Sequence, residues 1–310
     1  MAKSPNKTRR SLIIILNLIL IISASYLTIN NYLKLNDLKK DNDNLKREYN
    51  TLNKEYKDLV NANSDISNTI EDIKNLDTKI KDTKENVFKL ASQVEKKIQN
   101  KETNYKIAYI TFDDGPYYLT NKLLDLLKEK QVKVTFFTIG SGKTSCYDNR
   151  NFDCTTMYKK EADAGHTVAN HTYSHAIFYG LYSSVEEFMR QVQNQEDLIF
   201  EKTGTRPNIL RFPGGSRTAG SKRDAIIEKL REKGYGWVDW TAQDGDGGDL
   251  DTKEQAWSKF TSSINDDIEV ILFHDYDTIT YSILPNAIDY LENKNYILLP
   301  LFYDSVMINK

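Results

Sequence analysis

The chain has 310 residues, with 42 basic and 44 acidic side chains, four histidines and two cysteines. A net charge of −2 gives no general pull toward nucleic acid, and two cysteines exclude a cysteine-rich metal framework. All 14 glycines lie at or after Gly115, and Pro5 is the one glycine or proline before it, so a single 310-residue globule is excluded for want of turns.

Residues 1–10 hold Lys3, Lys7, Arg9 and Arg10 and read as a cytoplasmic tip. Residues 11–30 follow as a transmembrane helix. Positions 12–29 carry no charge, and their helical rise of ~27 Å matches the hydrocarbon core of a bilayer. The basic flank favours a single pass with the remainder outside the cell. Ser23-Ala24-Ser25 also resembles a signal-peptide cleavage site, which is the rival reading.

Residues 31–100 read as a coiled-coil stalk. Positions 38, 45, 52, 59, 66, 73, 80, 87 and 94 are all aliphatic, a sustained heptad seam. The companion seam is mixed, running from Asn42 through Asp77 and Lys84 to Ala91 and Ile98. Such a helix would reach ~100 Å and offers a route to a homodimer, with a solvated spacer as the alternative.

From residue 101 the pattern changes to apolar runs alternating with helical stretches. Expected strands are Ile107–Phe112, Val132–Ile139, Thr167–Asn170, Ile209–Phe212, Gly236–Trp240, Val270–Phe273 and Ile297–Leu301. Expected helices are Thr120–Lys130, Met157–Ala164, Ser184–Thr203, Lys222–Lys233, Lys253–Ile264 and Ser282–Asn293. The alternation implies an α/β fold, a parallel sheet covered by helices, and seven units suggest a barrel over residues 101–310.

Polar residues then gather at strand ends: Asp113-Asp114-Gly115, His171 and His175, Arg211 with Pro213-Gly214-Gly215, Asp244 and Asp246, and His274-Asp275. In such folds chemistry collects at the carboxyl ends of the strands. His171 and His175, four apart, suit one face of a helical turn. With one carboxylate of the Asp113-Asp114 pair they make a two-histidine, one-carboxylate metal site, leaving the other carboxylate as a base. His274 reaches the site from a distant segment, as a general acid should. Amide or ester hydrolysis follows. Each piece alone is an ordinary turn, core histidine or salt bridge; the ordered set is not.

Thr111-Phe112-Asp113-Asp114-Gly115, His171-Thr172-Tyr173-Ser174-His175, Arg211-Phe212-Pro213-Gly214-Gly215 and Leu272-Phe273-His274 resemble the motifs of polysaccharide deacetylases with a NodB-homology domain, carbohydrate esterase family four. The resemblance implies a distorted (β/α)7 barrel and a divalent metal, zinc foremost, with cobalt, manganese or nickel also suited. It implies removal of N-acetyl groups from amino sugars of peptidoglycan, chitin or a related glycan. Asp113 would be the general base, paired with Arg211. Asp114, His171 and His175 would hold the metal, and His274 would protonate the departing amine. The Gly214 N–H would donate to the oxyanion, and Trp240 and Leu272 would line the acetyl pocket.

The fourth motif departs from the family. Counting from Trp240, Asp246 takes the place of the aspartate behind His274, with Gln243 and Gly247 at neighbouring motif positions. Gly214 likewise replaces a bulkier residue, which opens the groove. Cys146 and Cys154 flank a polar loop and are expected to pair in an exported domain. His166 is expected to be structural. The expected protein is a membrane-anchored deacetylase acting on cell-wall glycan, with no nucleic-acid partner; a non-catalytic wall-binding scaffold is the rival from another class.

Overall fold

The structure is a computed structural model that describes residues 88–89, 91–141, 153–248 and 252–310. The expected tip, the transmembrane segment, most of the stalk and Cys146 lie outside the described residues. Among the described residues no helix is long and apolar enough to cross a membrane. The chain divides at Leu90, and Ala91–Lys310 forms one compact unit.

That unit opens with helix α1 (91–99), the last stretch of the expected stalk. Ala91, Glu95 and Ile98 are buried, spaced so that one helical face turns inward. Ala91 and Ile98 belong to the poorer heptad seam, so here the helix obeys the domain rather than a coil. Glu95 explains why. Its carboxylate accepts hydrogen bonds from the Tyr109 and Ser305 hydroxyls, each at 2.6 Å, and from the Val306 N–H at 3.1 Å. Glu95→Ala is expected to lower stability by about 1–3 kcal/mol, read from the denaturant midpoint, because buried donors are left without an acceptor. A loss below 0.5 kcal/mol would show that α1 is not part of the fold.

Eight strands follow: β1 (Lys106–Asp113), β2 (Thr135–Thr138), β3 (Thr167–Asn170), β4 (Ile209–Leu210), β5 (Gly236–Trp237), β6 (Ala242–Gln243), β7 (Ile268–His274) and β8 (Tyr296–Leu298). Between them lie helices α2 (Thr120–Glu129), α3 (Met157–Asp163), α4 (Val185–Thr203), α5 (Arg223–Glu232), α6 (Lys253–Ser263) and α7 (Thr278–Asn293). The sheet runs β5-β4-β3-β2-β1-β7-β6, with β8 also on β1, and every named pairing is parallel. Strands buried on both faces explain the continuous apolar runs: in β1 only Lys106 escapes full burial.

Two features correct the expected seven-unit barrel. Among the described residues the strands number eight, because Ala242–Gln243 pairs with Ile271 and Leu272 of β7. No ladder joins β5 to β6 among the described residues, so the sheet is a curled, open half-barrel. The long edge of β1 is also shared. Its last residues, Thr111–Asp113, pair with β2, while Lys106–Ala108 pair with β8.

The larger core packs Phe112, Phe136 and Phe273 of the sheet against Leu127, Phe260, Leu284 and Ile288 of α2, α6 and α7. A second cluster joins Leu210 and Phe212 to Phe188, Val192, Ile226 and Leu230 of α4 and α5. Helix starts are set by local chemistry: the Ser184 hydroxyl accepts the Glu187 N–H, and Thr252 with Gln255 forms a reciprocal cap. His166 is buried at the foot of β3, where its Nδ1 accepts the Val134 N–H at 3.1 Å. Cys154 is buried at the first residue of a 3-10 turn.

Candidate active site

Asp113 is the last residue of β1 and His274 the last of β7, and the two strands are in register there. Arg211 follows β4, His171 follows β3, and Asp246 lies three residues beyond β6. Five segments therefore place their reactive groups at one end of the sheet.

Asp114 Oδ1, with one ring nitrogen each from His171 and His175, falls within a mutual 4.8 Å. His171 Nε2 is 3.5 Å and His175 Nε2 is 3.3 Å from that oxygen. The two rings are not on a helical turn, as the four-residue spacing suggested. Residues 171–176 form a loop in which Thr172 (φ 64°) and His175 (φ 51°) are left-handed, folding the chain back until the ring centroids stand 5.0 Å apart. Asp114 is left-handed as well, with φ 71°. Such backbone costs about 1–3 kcal/mol per residue and clusters where function demands it.

The donor set fits a divalent cation. Asp114 Oδ1 is buried with no hydrogen-bond partner, a costly state unless something positive meets it. His171 Nδ1 is 2.8 Å from the Arg211 carbonyl, which fixes the tautomer and leaves Nε2 with its lone pair toward Asp114. Burial, and then the neighbouring His175, press the His171 pKa down to about 3, so the ring is neutral, as a ligand must be.

Beside this triad, Asp113 Oδ1 receives Arg211 Nη1 at 2.9 Å, and its Oδ2 lies 3.5 Å from His171 Nε2. Arg211 is wholly buried. It also donates to the Thr111 hydroxyl at 2.6 Å and to the Val238 and Asp239 carbonyls, and its guanidinium lies 4.3 Å from the Phe137 ring centre. Burial pushes the Asp113 pKa up and the Arg211 pKa down, and each charge pulls the other back.

Across the site, His274 Nε2 is 3.7 Å from Asp114 Oδ2, and its Nδ1 is 2.7 Å from Asp246 Oδ1. Burial works against a charge on His274, but the hydrogen bond and charge of Asp246 outweigh it and raise the pKa to about 9. Asp244 is not the partner. It accepts the Thr280 hydroxyl at 2.6 Å and the Asp246 N–H at 3.1 Å, and so holds Asp246 in place. Burial, with Asp246 close by, raises the Asp244 pKa.

Gly214 lies on the arginine loop with φ 71°, and its carbonyl accepts the Thr218 hydroxyl. Trp240 stands 5.9 Å from the Arg211 guanidinium, and its ring would be 3.2 Å from a Cβ on Gly215. Leu272 is buried on β7 opposite Thr111. Three residues were missed by sequence reasoning. Thr111 bridges Arg211 to the Ile271 carbonyl, and Thr280 ties α7 to both Asp244 and Asp246. Asp239 accepts the Ser216 N–H and hydroxyl, which pins the arginine loop. Thr111, first in the Thr111–Gly115 motif, and Asp239, an acid immediately before Trp240, carried a signal; Thr280 carried none.

Known proteins match this architecture. A family model described as polysaccharide deacetylase matches residues 100–236. A peptidoglycan-N-acetylglucosamine deacetylase of Bacillus cereus is 31% identical over 225 residues, covering 68% of this chain and 78% of its own. A chitin deacetylase of Colletotrichum lindemuthianum is 30% identical over 194 residues, covering 60% of this chain and 74% of its own. The catalytic domain of peptidoglycan N-acetylglucosamine deacetylase from Eubacterium rectale has a TM-score of 0.60 and 30% identity, covering 66% of this chain and 92% of that one.

Proposed function

The chain belongs to the polysaccharide deacetylase family, and from that premise we propose that it removes N-acetyl groups from amino sugars of cell-wall peptidoglycan. One observation carries the reading. The three metal-ligand atoms, the Asp113–Arg211 pair and the Asp246–His274 pair all face one point at the strand ends.

Asp114, His171 and His175 would hold the divalent metal, zinc by their donor chemistry. When bound, it would polarise the acetamide carbonyl and make water a better nucleophile. The rest is protein work. Asp113, oriented by Arg211, accepts the proton from the attacking water. The Gly214 N–H donates to the carbonyl oxygen as it gains charge. Trp240 and Leu272 bound the space for the acetyl methyl group. Asp246 fixes His274 so that Nε2, carrying a proton, meets the amide nitrogen. As the C–N bond breaks, that proton goes to the nitrogen, leaving acetate and a free amine.

The same reading places the catalytic unit outside the cell, held by the apolar segment at residues 11–30 and spaced by the stalk. In that setting Cys146 and Cys154 pair, and the stalk offers a route to a homodimer. A second substrate reading, a chitin-like polymer, is favoured by the similarity to the fungal chitin deacetylase.

The test is acetate release by the full chain from defined peptidoglycan fragments and from chitin oligomers. Release is expected from the peptidoglycan fragments, lost with chelator and restored by zinc. His171→Ala should lose both zinc, by metal analysis, and activity. Release confined to chitin would move the substrate. No acetate from any glycan with metal added would overturn the enzyme reading.

A further inference from the structure

Two large rings stand almost wholly in water a few residues after His175: Phe178 is 92% exposed and Tyr179 is 91% exposed. The next most exposed large apolar side chain among the described residues, Tyr118, reaches only 46%. Both rings belong to the 3-10 turn Ile177–Tyr179, which begins two residues after His175. The turn is firmly held. Ile177 N–H donates to the His175 carbonyl at 2.9 Å, and the Tyr179 and Leu181 N–H groups both donate to the Ala176 carbonyl. Gly180, at φ 102°, closes it. Leu181 is buried, and Ile177 packs on the same core cluster, so the turn is anchored at both ends while its two rings are not.

The turn also touches the arginine loop. The Ile177 Cδ1 lies 3.2 Å from where a Cβ on Gly214 would stand. Phe178 and Tyr179 therefore belong to a turn that leaves the metal-ligand loop directly after His175 and meets the arginine loop through Ile177. Fixed backbone that holds adjacent apolar rings in solvent marks a binding surface rather than loose packing. Flat ring faces complement the C–H faces of pyranose rings, and a glycan strand brings several such faces in a row.

Resting on the deacetylase reading, we propose that Phe178 and Tyr179 form an outer stacking platform for the sugars that flank the one being deacetylated. The metal end of the site takes one acetamide; the platform holds neighbouring sugars of the same strand. Long glycans therefore bind better than short ones, and the preference sits in these two side chains rather than in the hydrolytic groups.

The test compares the full chain with its Phe178→Ala/Tyr179→Ala variant on the dimer and the hexamer of N-acetylglucosamine, with zinc present. The hexamer-to-dimer ratio of kcat/KM should fall about 10-fold in the variant, through KM rather than kcat. Hexamer affinity of the chelated full chain, by calorimetry, should weaken by a similar factor. A Phe178→Tyr/Tyr179→Phe variant, which keeps both rings, should retain the ratio and the affinity. Unchanged ratio and affinity in the alanine variant would overturn the platform. Absence of acetate release by the parent chain from these oligomers and from peptidoglycan fragments alike would overturn the deacetylase reading, while the affinity arm would still decide the platform.

Discussion

Arg211→Ala should lower stability by about 3–5 kcal/mol and abolish acetate release. The guanidinium is wholly buried and satisfied on every side: Asp113, Thr111, and the Val238 and Asp239 carbonyls. Removing it leaves the Asp113 carboxylate buried without its partner, and empties a space lined by Phe137 and Trp240. Arg211→Lys should not rescue, because a point charge cannot reach four acceptors held in fork geometry. Thr111→Val, which removes one of the four, should cost only about 1 kcal/mol. An Arg211→Met/Asp113→Leu double variant separates charge from packing: it should recover part of the stability and none of the activity. An Arg211→Ala midpoint within 1 kcal/mol of the parent would mean that this buried pair does not organise the site.

How much of this was legible depended on how local the cause was. Thr167–Asn170 was read residue for residue; β1 and β7 were read within two residues of each end, because strands buried on both faces are long apolar runs. β4, β5 and β6 have two residues each, too few for any period to show: β4 and β5 were read too long, as Ile209–Phe212 and Gly236–Trp240, and β6 was missed. The metal ligands were legible as residue types but not as geometry. Thr172 and His175 adopt left-handed backbone that nothing in their identity demands, since the surrounding fold imposes it. Asp246 was found by counting from Trp240, and the structure shows why the count works: Asp244 accepts the Asp246 N–H and fixes its register against His274.

Thr280 could not have been found, because a threonine suits almost any helix start and its hydroxyl leaves no pattern; Thr111 stood in the first motif, but nothing in the sequence said that its hydroxyl meets Arg211. The stalk reading failed at its last turns for a related reason. An aliphatic heptad and a domain-packing helical face share the same spacing, and only the partners of Glu95, more than 200 positions away at Ser305 and Val306, distinguish them.

His274→Ala should lower kcat by about 10²–10⁴-fold while zinc content stays at the parental level, since the ring donates a proton and ligates nothing. The pH behaviour follows from its partner. The ordinary imidazole value of 6.5 rises to about 9 in the fold, chiefly because Asp246 stabilises the charged ring against burial. A raised value means that the folded protein holds this proton more tightly than the unfolded chain. The resulting stability is full below about pH 6.5 and is lost as pH climbs through about 9. Rate follows the same limb, because only the protonated ring can serve as acid. Asp246→Asn keeps the shape and removes the charge. Its alkaline limb in kcat should move to lower pH, and its fall in stability should begin earlier. Asp244→Asn touches the ring only through Asp246, so it should give a smaller shift in the same direction. A pH–rate profile for Asp246→Asn that overlays the parent on its alkaline side would show that some group other than His274 delivers the proton to the departing amine.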